Sequence, residues 1–131
     1  MDGLEPGLTG EAVCEVTREL TAARLGSGTV AVLGTPALVA LMERAAVAAL
    51  EGSLPPGRTS VGVRIDVHHL AATPVGMEVR ARAELVAVEG RRLTFHIEAW
   101  DKVEKVGEAT HERVVVDQGR FLGRVGGKGG R

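Results

Sequence analysis

Between Pro36 and Leu50 the apolar residues Leu38, Leu41, Met42, Ala45, Ala46, Ala49 and Leu50 recur at spacings of three and four, the period of a helix with one side on a core. Thr35-Pro36 marks its start: Thr is a good N-cap, and Pro suits the first helical position, where a missing N–H costs nothing. Gly52 and Pro55-Pro56-Gly57 stop the run. The segment is apolar nearly all round, so it should be largely buried.

From Thr59 the period changes to two. Val61, Val63, Ile65, Val67 and His69 fall on one strand face, and Gly62, Arg64, Asp66, His68 and Leu70 on the other. Met77, Val79, Ala81, Ala83, Leu85 and Ala87 then alternate with Glu78, Arg80, Arg82 and Glu84. After a turn at Glu89-Gly90, Leu93, Phe95, Ile97 and Ala99 alternate with Arg92, Thr94, His96 and Glu98. A last strand covers roughly 106–116, past a short turn near Asp101-Lys102. Ahead of the helix, Val13 and Val16 make residues 11–20 a strand, and 22–34 is a loop of Gly and small residues. The ends, about 1–10 and 121–131, are rich in Gly and look loosely held.

Strands joined by short turns imply an antiparallel sheet with one covered face. One long apolar helix beside such a meander predicts the α+β class, a curved sheet wrapped around a central helix, which is the hot-dog architecture. No linker or internal repeat interrupts the chain, so residues 1–131 read as one domain.

Composition narrows the picture. Apolar residues make up 44% of the chain, yet only two Phe, one Trp and no Tyr are present. The core must therefore be built from aliphatic side chains, and such a thin core gains from self-association. Together with an exposed sheet edge, this predicts a homodimer or a dimer of dimers. Sixteen cations against seventeen acids give a net charge of −1, without the basic excess a nucleic-acid partner requires. Cys14 is the single cysteine; it is read as a buried small residue and fits a reducing compartment. No leader-like pattern is seen, and Glu43 and Arg44 break the most apolar run, so the expectation is a cytoplasmic protein without membrane contact.

Two adjacent histidines carry the candidate chemistry. On a strand, neighbours point to opposite faces; His69 continues the inward stripe, whereas His68 shares the face of Arg64 and Asp66. A histidine at a core edge, satisfied by a backbone carbonyl, is the competing reading for His69. Glu43 sits among Leu41, Met42, Ala45 and Ala46, and a buried carboxylate needs a partner or a task. It is either a structural ion pair with Arg44 or Arg24, or a group facing His69, where an imidazole and a carboxylate could move a proton. Thr35 opens the helix that carries Glu43, at an end whose N–H groups and dipole can hold a polarised carbonyl oxygen. No ligand-like clustering of His and carboxylates points to a metal.

The stretches GTPALVALME (34–43), HHLAATPVG (68–76), VEGRRLTF (88–95) and GEATHERVVV (107–116) resemble the fluoroacetyl-CoA thioesterase and its hot-dog relatives over roughly residues 10–120. The Thr-to-Glu spacing of eight, the Glu-to-His spacing of twenty-six, and AATP and THER are the most specific parts. The resemblance implies hydrolysis of a small acyl-CoA thioester, with Thr35, Glu43 and His69 as the catalytic set and with Gly62 and Arg113 at the substrate. It implies no cofactor beyond the coenzyme A carried by the substrate. The sequence departs from its namesake at 23–34, ARLGSGTVAVLG, which contains no aromatic residue where the fluoroacetyl-specific enzyme has an aromatic lid. A different small acyl group is therefore expected. Arg80, Arg82, Arg91, Arg92 and Arg113 are candidates for the phosphates of coenzyme A, although alternating charges on a strand usually mark a solvated face. A non-catalytic acyl-CoA binding module is the alternative. A hydratase is disfavoured, because Asp66 and His69 lie on opposite faces.

Overall fold

In the computed structural model, residues 4–130 are described. The elements are β1 (Thr9–Glu15), a 3-10 turn (Arg18–Leu20), α1 (Ala22–Leu25), α2 (Thr35–Leu50), β2 (Arg58–His69), β3 (Glu78–Glu89), β4 (Arg92–Trp100), β5 (Lys105–Asp117) and α3 (Gln118–Lys128). The five strands form one antiparallel sheet in the order β1-β3-β4-β5-β2. It curls around α2, which buries Leu38, Leu41, Met42, Ala45, Ala46, Ala49 and Leu50. Those are the seven residues that the helical period selected. Against them pack Val79, Ala81, Ala83, Leu85, Leu93, Phe95, Ile97 and Ala99 from the alternating strands.

Turn chemistry holds the register. Glu89 pairs with Arg92 across Gly90-Arg91, and Gly90 alone takes a positive φ, 62°, as a two-residue turn with glycine first requires. Gly10 answers a different need. A Cβ there would stand 2.2 Å from the Ala49 nitrogen and 2.6 Å from the Ala45 carbonyl oxygen, so β1 lies directly on the α2 backbone.

Several expectations are corrected. Strict alternation fails at Val63, where the β2–β5 register shifts between Gly62 and Arg64. The bulge turns Ser60 and Gly62 inward with Ile65, Val67 and His69, and leaves Val63 half-exposed. A second shift at Val86 takes Ala87 out of the inner stripe and puts Val88 against the core. Residues 11–20 are not one strand: β1 ends at Glu15, and its inner face is Gly10, Ala12 and Cys14, while Val13 is exposed. Cys14 is only half-buried. The N-terminal end is held where looseness was expected, because Leu4 is buried and the Gly7 N–H donates to the Leu85 carbonyl at 2.8 Å. Residues 118–128 are helical although rich in glycine, with Asp117 as N-cap, but none of them is buried. Residues 1–3 and 131 lie outside the described residues. Among the described residues no helix is long and apolar enough to cross a membrane.

Candidate active site

The start of α2 is the first station. Gly34, not Thr35, is the N-cap, and no side chain caps the helix. The Thr35 hydroxyl is committed elsewhere, 2.8 Å from His69 Nδ1 on the last residue of β2. The N–H groups of Ala37 and Leu38 turn back on the Gly34 carbonyl, and Gly34 N–H donates to Leu20. Because Pro36 has no N–H, Thr35 N–H is the donor left at this helix start.

His69 faces inward, as its position in the stripe requires. Burial holds its imidazole below the ordinary histidine range, with the Ala71 backbone opposing. The ring is therefore neutral at pH 7. Its Nε2 is buried and lacks a hydrogen-bond partner, a state that buried polar atoms seldom keep without a ligand or a task. The pair borders a cavity of about 420 Å³ whose wall includes Val30, Val32, Leu33 and Leu70, with no aromatic side chain. His68 points outward and reaches Asp66 at 3.5 Å, both well exposed, as expected of a solvated pair.

The second station lies two turns along α2. Glu43 and Thr35 are eight residues apart, roughly 12 Å of helix. Neither Arg44 nor Arg24 is the partner of Glu43. Instead Arg113 Nη1 donates to Glu43 Oε2 at 3.3 Å, and His111 Nε2 lies 3.8 Å from the same oxygen. Gly62 completes the station: a Cβ there would come within 2.5 Å of Glu43 Oε2. Only glycine leaves the carboxylate its place.

Arg113 is a buried cation, and an uncompensated one would cost several kcal/mol. It is compensated fourfold. Nε donates to Ser60 Oγ at 2.8 Å, Nη2 to the Ser60 carbonyl at 3.1 Å, and Nη1 both to Glu43 and, at 3.2 Å, to His111 Nε2. Burial lowers the pKa of Arg113, and Glu43 opposes that shift, so the guanidinium remains charged.

Gly62, Arg113 and Glu43 thus meet, and so do Thr35 and His69, but among the described residues no hydrogen bond or ion pair joins Glu43 to His69 within one chain. The sequence reading missed His111, 1% exposed. Its two-residue spacing from Arg113 on β5 puts both on one face, and that was the available signal. Among the described residues no group of three His, Cys, Asp or Glu side chains could hold a metal.

The basic candidates now separate. Arg80 pairs with Glu11 and Arg92 with Glu112, whereas Arg91 joins Arg58, Arg120 and Arg124 around a polar cavity of about 150 Å³ beside Asp117.

A curled five-stranded antiparallel sheet around one buried helix defines a hot-dog protein of the α+β class. Its aliphatic cavity beside a Thr–His pair, and its helix-borne carboxylate facing a glycine, are both built on that helix. The chain belongs to the fluoroacetyl-CoA-specific thioesterase family, whose model matches residues 16–119. It is 46% identical over 94 residues to the fluoroacetyl-CoA thioesterase of Streptantibioticus cattleyicolor, covering 72% of this chain and 68% of that protein. The solved structure of a fluoroacetyl-CoA thioesterase superposes with a TM-score of 0.90 at 38% identity, over 97% of this chain and 98% of the other. A hot-dog-like protein from Thermanaerovibrio acidaminovorans gives a TM-score of 0.90 at 30% identity, over 100% and 99% of the two chains.

Proposed function

We propose that the protein is an acyl-CoA thioesterase that hydrolyses a small acyl-CoA thioester at a site shared between two subunits of a homodimer. The observation that carries this reading is the pair of incomplete stations on one helix, an imidazole with a threonine at its start and a carboxylate with a glycine and an arginine two turns on. Relatives support the substrate class: one is named a fluoroacetyl-CoA thioesterase, and a point variant of a fluoroacetyl-CoA-specific thioesterase is described in complex with fluoroacetate and CoA.

Dimerisation supplies what one chain lacks. β2 is an edge strand with an unpaired side, and beside it lie Glu43, 39% exposed, and half-exposed Val47 and Val63. An edge of this kind invites pairing. A second copy laid antiparallel along β2 would bring the His69 end of one chain toward the Glu43 region of the other and cover all three residues. Assembly to a dimer of dimers is not needed for the site.

In this reading the thioester carbonyl lies at the start of α2, its oxygen held by the Thr35 N–H and the helix dipole. His69 donates from Nδ1 to Thr35 Oγ1, so that Nε2 presents its lone pair and the threonine hydroxyl is free to orient the substrate. Glu43 Oε1 makes no hydrogen bond among the described residues. It takes a proton from water as the water oxygen attacks the carbonyl carbon. The tetrahedral intermediate then collapses, the C–S bond breaks, and the leaving thiolate of coenzyme A receives a proton from the same carboxyl or through His69. Direct attack by Glu43 would pass through an anhydride, and ¹⁸O found in the Glu43 carboxylate after a single turnover in labelled water would establish that route, because water that opens the anhydride at the Glu43 carbonyl leaves its oxygen there.

No metal or other cofactor enters this chemistry, since coenzyme A arrives with the substrate. The aliphatic wall of the cavity suits a small hydrocarbon acyl group, and the arginine cluster around Asp117 suits the phosphates of coenzyme A. A cytoplasmic location, where coenzyme A thioesters are made and used, fits the lone cysteine. The test is hydrolysis of short, branched and aryl acyl-CoAs by the wild type and by Glu43→Ala. Loss of turnover in the variant supports the reading. Undiminished turnover refutes the assignment of Glu43, and intact acyl-CoA recovered after long incubation with the wild type would make the protein a binding module.

A further inference from the structure

His111 is almost completely buried and takes no part in the scheme above. Its surroundings nevertheless fix the state of both ring nitrogens. Nδ1 lies 2.8 Å from the carbonyl oxygen of Arg64. A carbonyl can only accept, so Nδ1 carries a hydrogen. That carbonyl is turned inward by the bulge at Val63, which shifts the ladder between Gly62 and Arg64.

Nε2 lies 3.2 Å from Arg113 Nη1, and a guanidinium can only donate, so Nε2 is an acceptor. Arg113 Nη1 bears two hydrogens: one is directed to Glu43 Oε2 and the other to His111 Nε2.

We propose that His111 is a positioning residue for Glu43, a neutral imidazole held as the Nδ1–H tautomer by Arg64, whose Nε2 takes one Nη1 hydrogen of Arg113 and so limits that nitrogen to a single, long hydrogen bond with the carboxylate. This rests on the reading of Glu43 as the carboxylate that activates water.

The physical consequence follows from hydrogen counting. If Nε2 is removed, one buried Nη1 hydrogen loses its acceptor, and the nearest remaining one is Glu43. With the competing acceptor gone, Nη1 moves toward Glu43 Oε2, shortens its 3.3 Å hydrogen bond, tightens the ion pair and draws Glu43 away from water and thioester. Neutrality is part of the device, because a protonated His111 would present a second donor to Arg113. The groups that act on the ring are the Arg64 carbonyl, Arg113 and Glu43, which face it, and Glu112 from the opposite face of the strand; burial leads in holding its pKa below the usual range, with Arg113 acting in the same sense and the Arg64 carbonyl and both acids against.

The test has two arms. In the first, ¹⁵N NMR of the wild-type ring is recorded from about pH 8 to about pH 6. The expected result is a one-bond proton on Nδ1 and a bare Nε2 at neutral pH and above, with protonation of Nε2 only below the ordinary histidine range; an Nε2-bound proton at neutral pH overturns the proposal. The second compares His111→Phe, which keeps the ring volume beside Phe95 but no nitrogen, with His111→Gln, which restores an acceptor. The Phe variant should lose about tenfold or more in kcat, with KM changed less than about twofold, and the Gln variant should recover most of it. Unchanged kcat in folded His111→Phe overturns the proposal. So does a Gln variant as slow as the Phe variant, which would show that ring packing alone matters. If His111→Phe does not fold, the NMR arm and a fall in kcat for His111→Ala that His111→Gln does not share decide the question. A wild type that hydrolyses no acyl-CoA sinks the proposed function instead, while the tautomer result still stands or falls by itself.

Discussion

Replacing Gly62 with alanine probes the site without removing any polar group. The added Cβ would stand 2.5 Å from Glu43 Oε2, 3.2 Å from His111 Cε1 and 3.3 Å from Arg113 Nη1. Gly62 does not have a positive φ, so the backbone accepts alanine, and leaving glycine in a strand should gain stability by roughly 0.5–1 kcal/mol. The two ring and guanidinium contacts need only a few tenths of an ångström. The carboxylate oxygen must retreat by about 0.9 Å to reach ordinary contact at 3.4 Å. Glu43 is flexible and partly exposed, so it yields easily, and the cost falls on activity rather than on folding. A misplacement near 1 Å costs on the order of 100-fold in rate, or about 2.7 kcal/mol of transition-state stabilisation. The assay is release of coenzyme A thiol from a short acyl-CoA, with thermal melting as the folding control. The expected outcome is a melting temperature close to wild type, KM little changed and kcat down about 100-fold. A folded Gly62→Ala with kcat within about threefold of wild type would show that Glu43 is not at the reacting centre.

Gly10→Ala should act in the opposite way, because its Cβ would meet backbone atoms of α2 at 2.2 and 2.6 Å. Loss at or above the upper end of about 1–3 kcal/mol is expected, read from urea midpoints, and a loss below about 0.5 kcal/mol would contradict the packing. The two buried histidines make stability pH-dependent. His69 and His111 both have pKa values lowered from 6.5, so the unfolded chain binds more protons below that pH. Their contribution is complete above about 6.5 and is lost as pH falls through their folded values. Urea midpoints should therefore drop between about pH 7.5 and about pH 5.5, before carboxylates titrate, and less so in His111→Phe. Arg120→Ala combined with Arg124→Ala should raise KM for an acyl-CoA with kcat unchanged, and should leave hydrolysis of the corresponding acyl-pantetheine untouched. An equal effect on both substrates would remove the phosphate role.

The inner face of α2 was fully legible because seven apolar residues keep one helical period over four turns. The strands were legible for the same reason until Val63 and Val86, where a single extra residue inverts the alternation and nothing in composition announces it. That inversion moved Gly62 from the apparent outer face to the inner one, beside Glu43. Strand parity put His69 on the inner face, and helix-start chemistry put Thr35 at the entrance of α2 but one position off, since Gly34 is the cap and the Thr35 hydroxyl bonds to the imidazole instead. The partner of Glu43 was not legible. Local sequence offered Arg44 and Arg24, but pairing of β2 with β5 brings in Arg113 from seventy residues away. His111 was hidden by the same long-range pairing. The carboxy-terminal helix was obscured by its glycines, whose low propensity outweighed the signal of Asp117 as N-cap.

The central claim is that Thr35 and His69 of one subunit act with Glu43 of another. Complementation tests it most directly: His69→Ala and Glu43→Ala are purified, each is shown to be folded and inactive, and the two are mixed under conditions that allow subunit exchange. A shared site predicts that mixed dimers regain one intact centre, so acyl-CoA hydrolysis should return to about a quarter of the wild-type rate after random exchange. A mixture that exchanges subunits, shown by mass spectrometry, yet stays inactive would contradict the account.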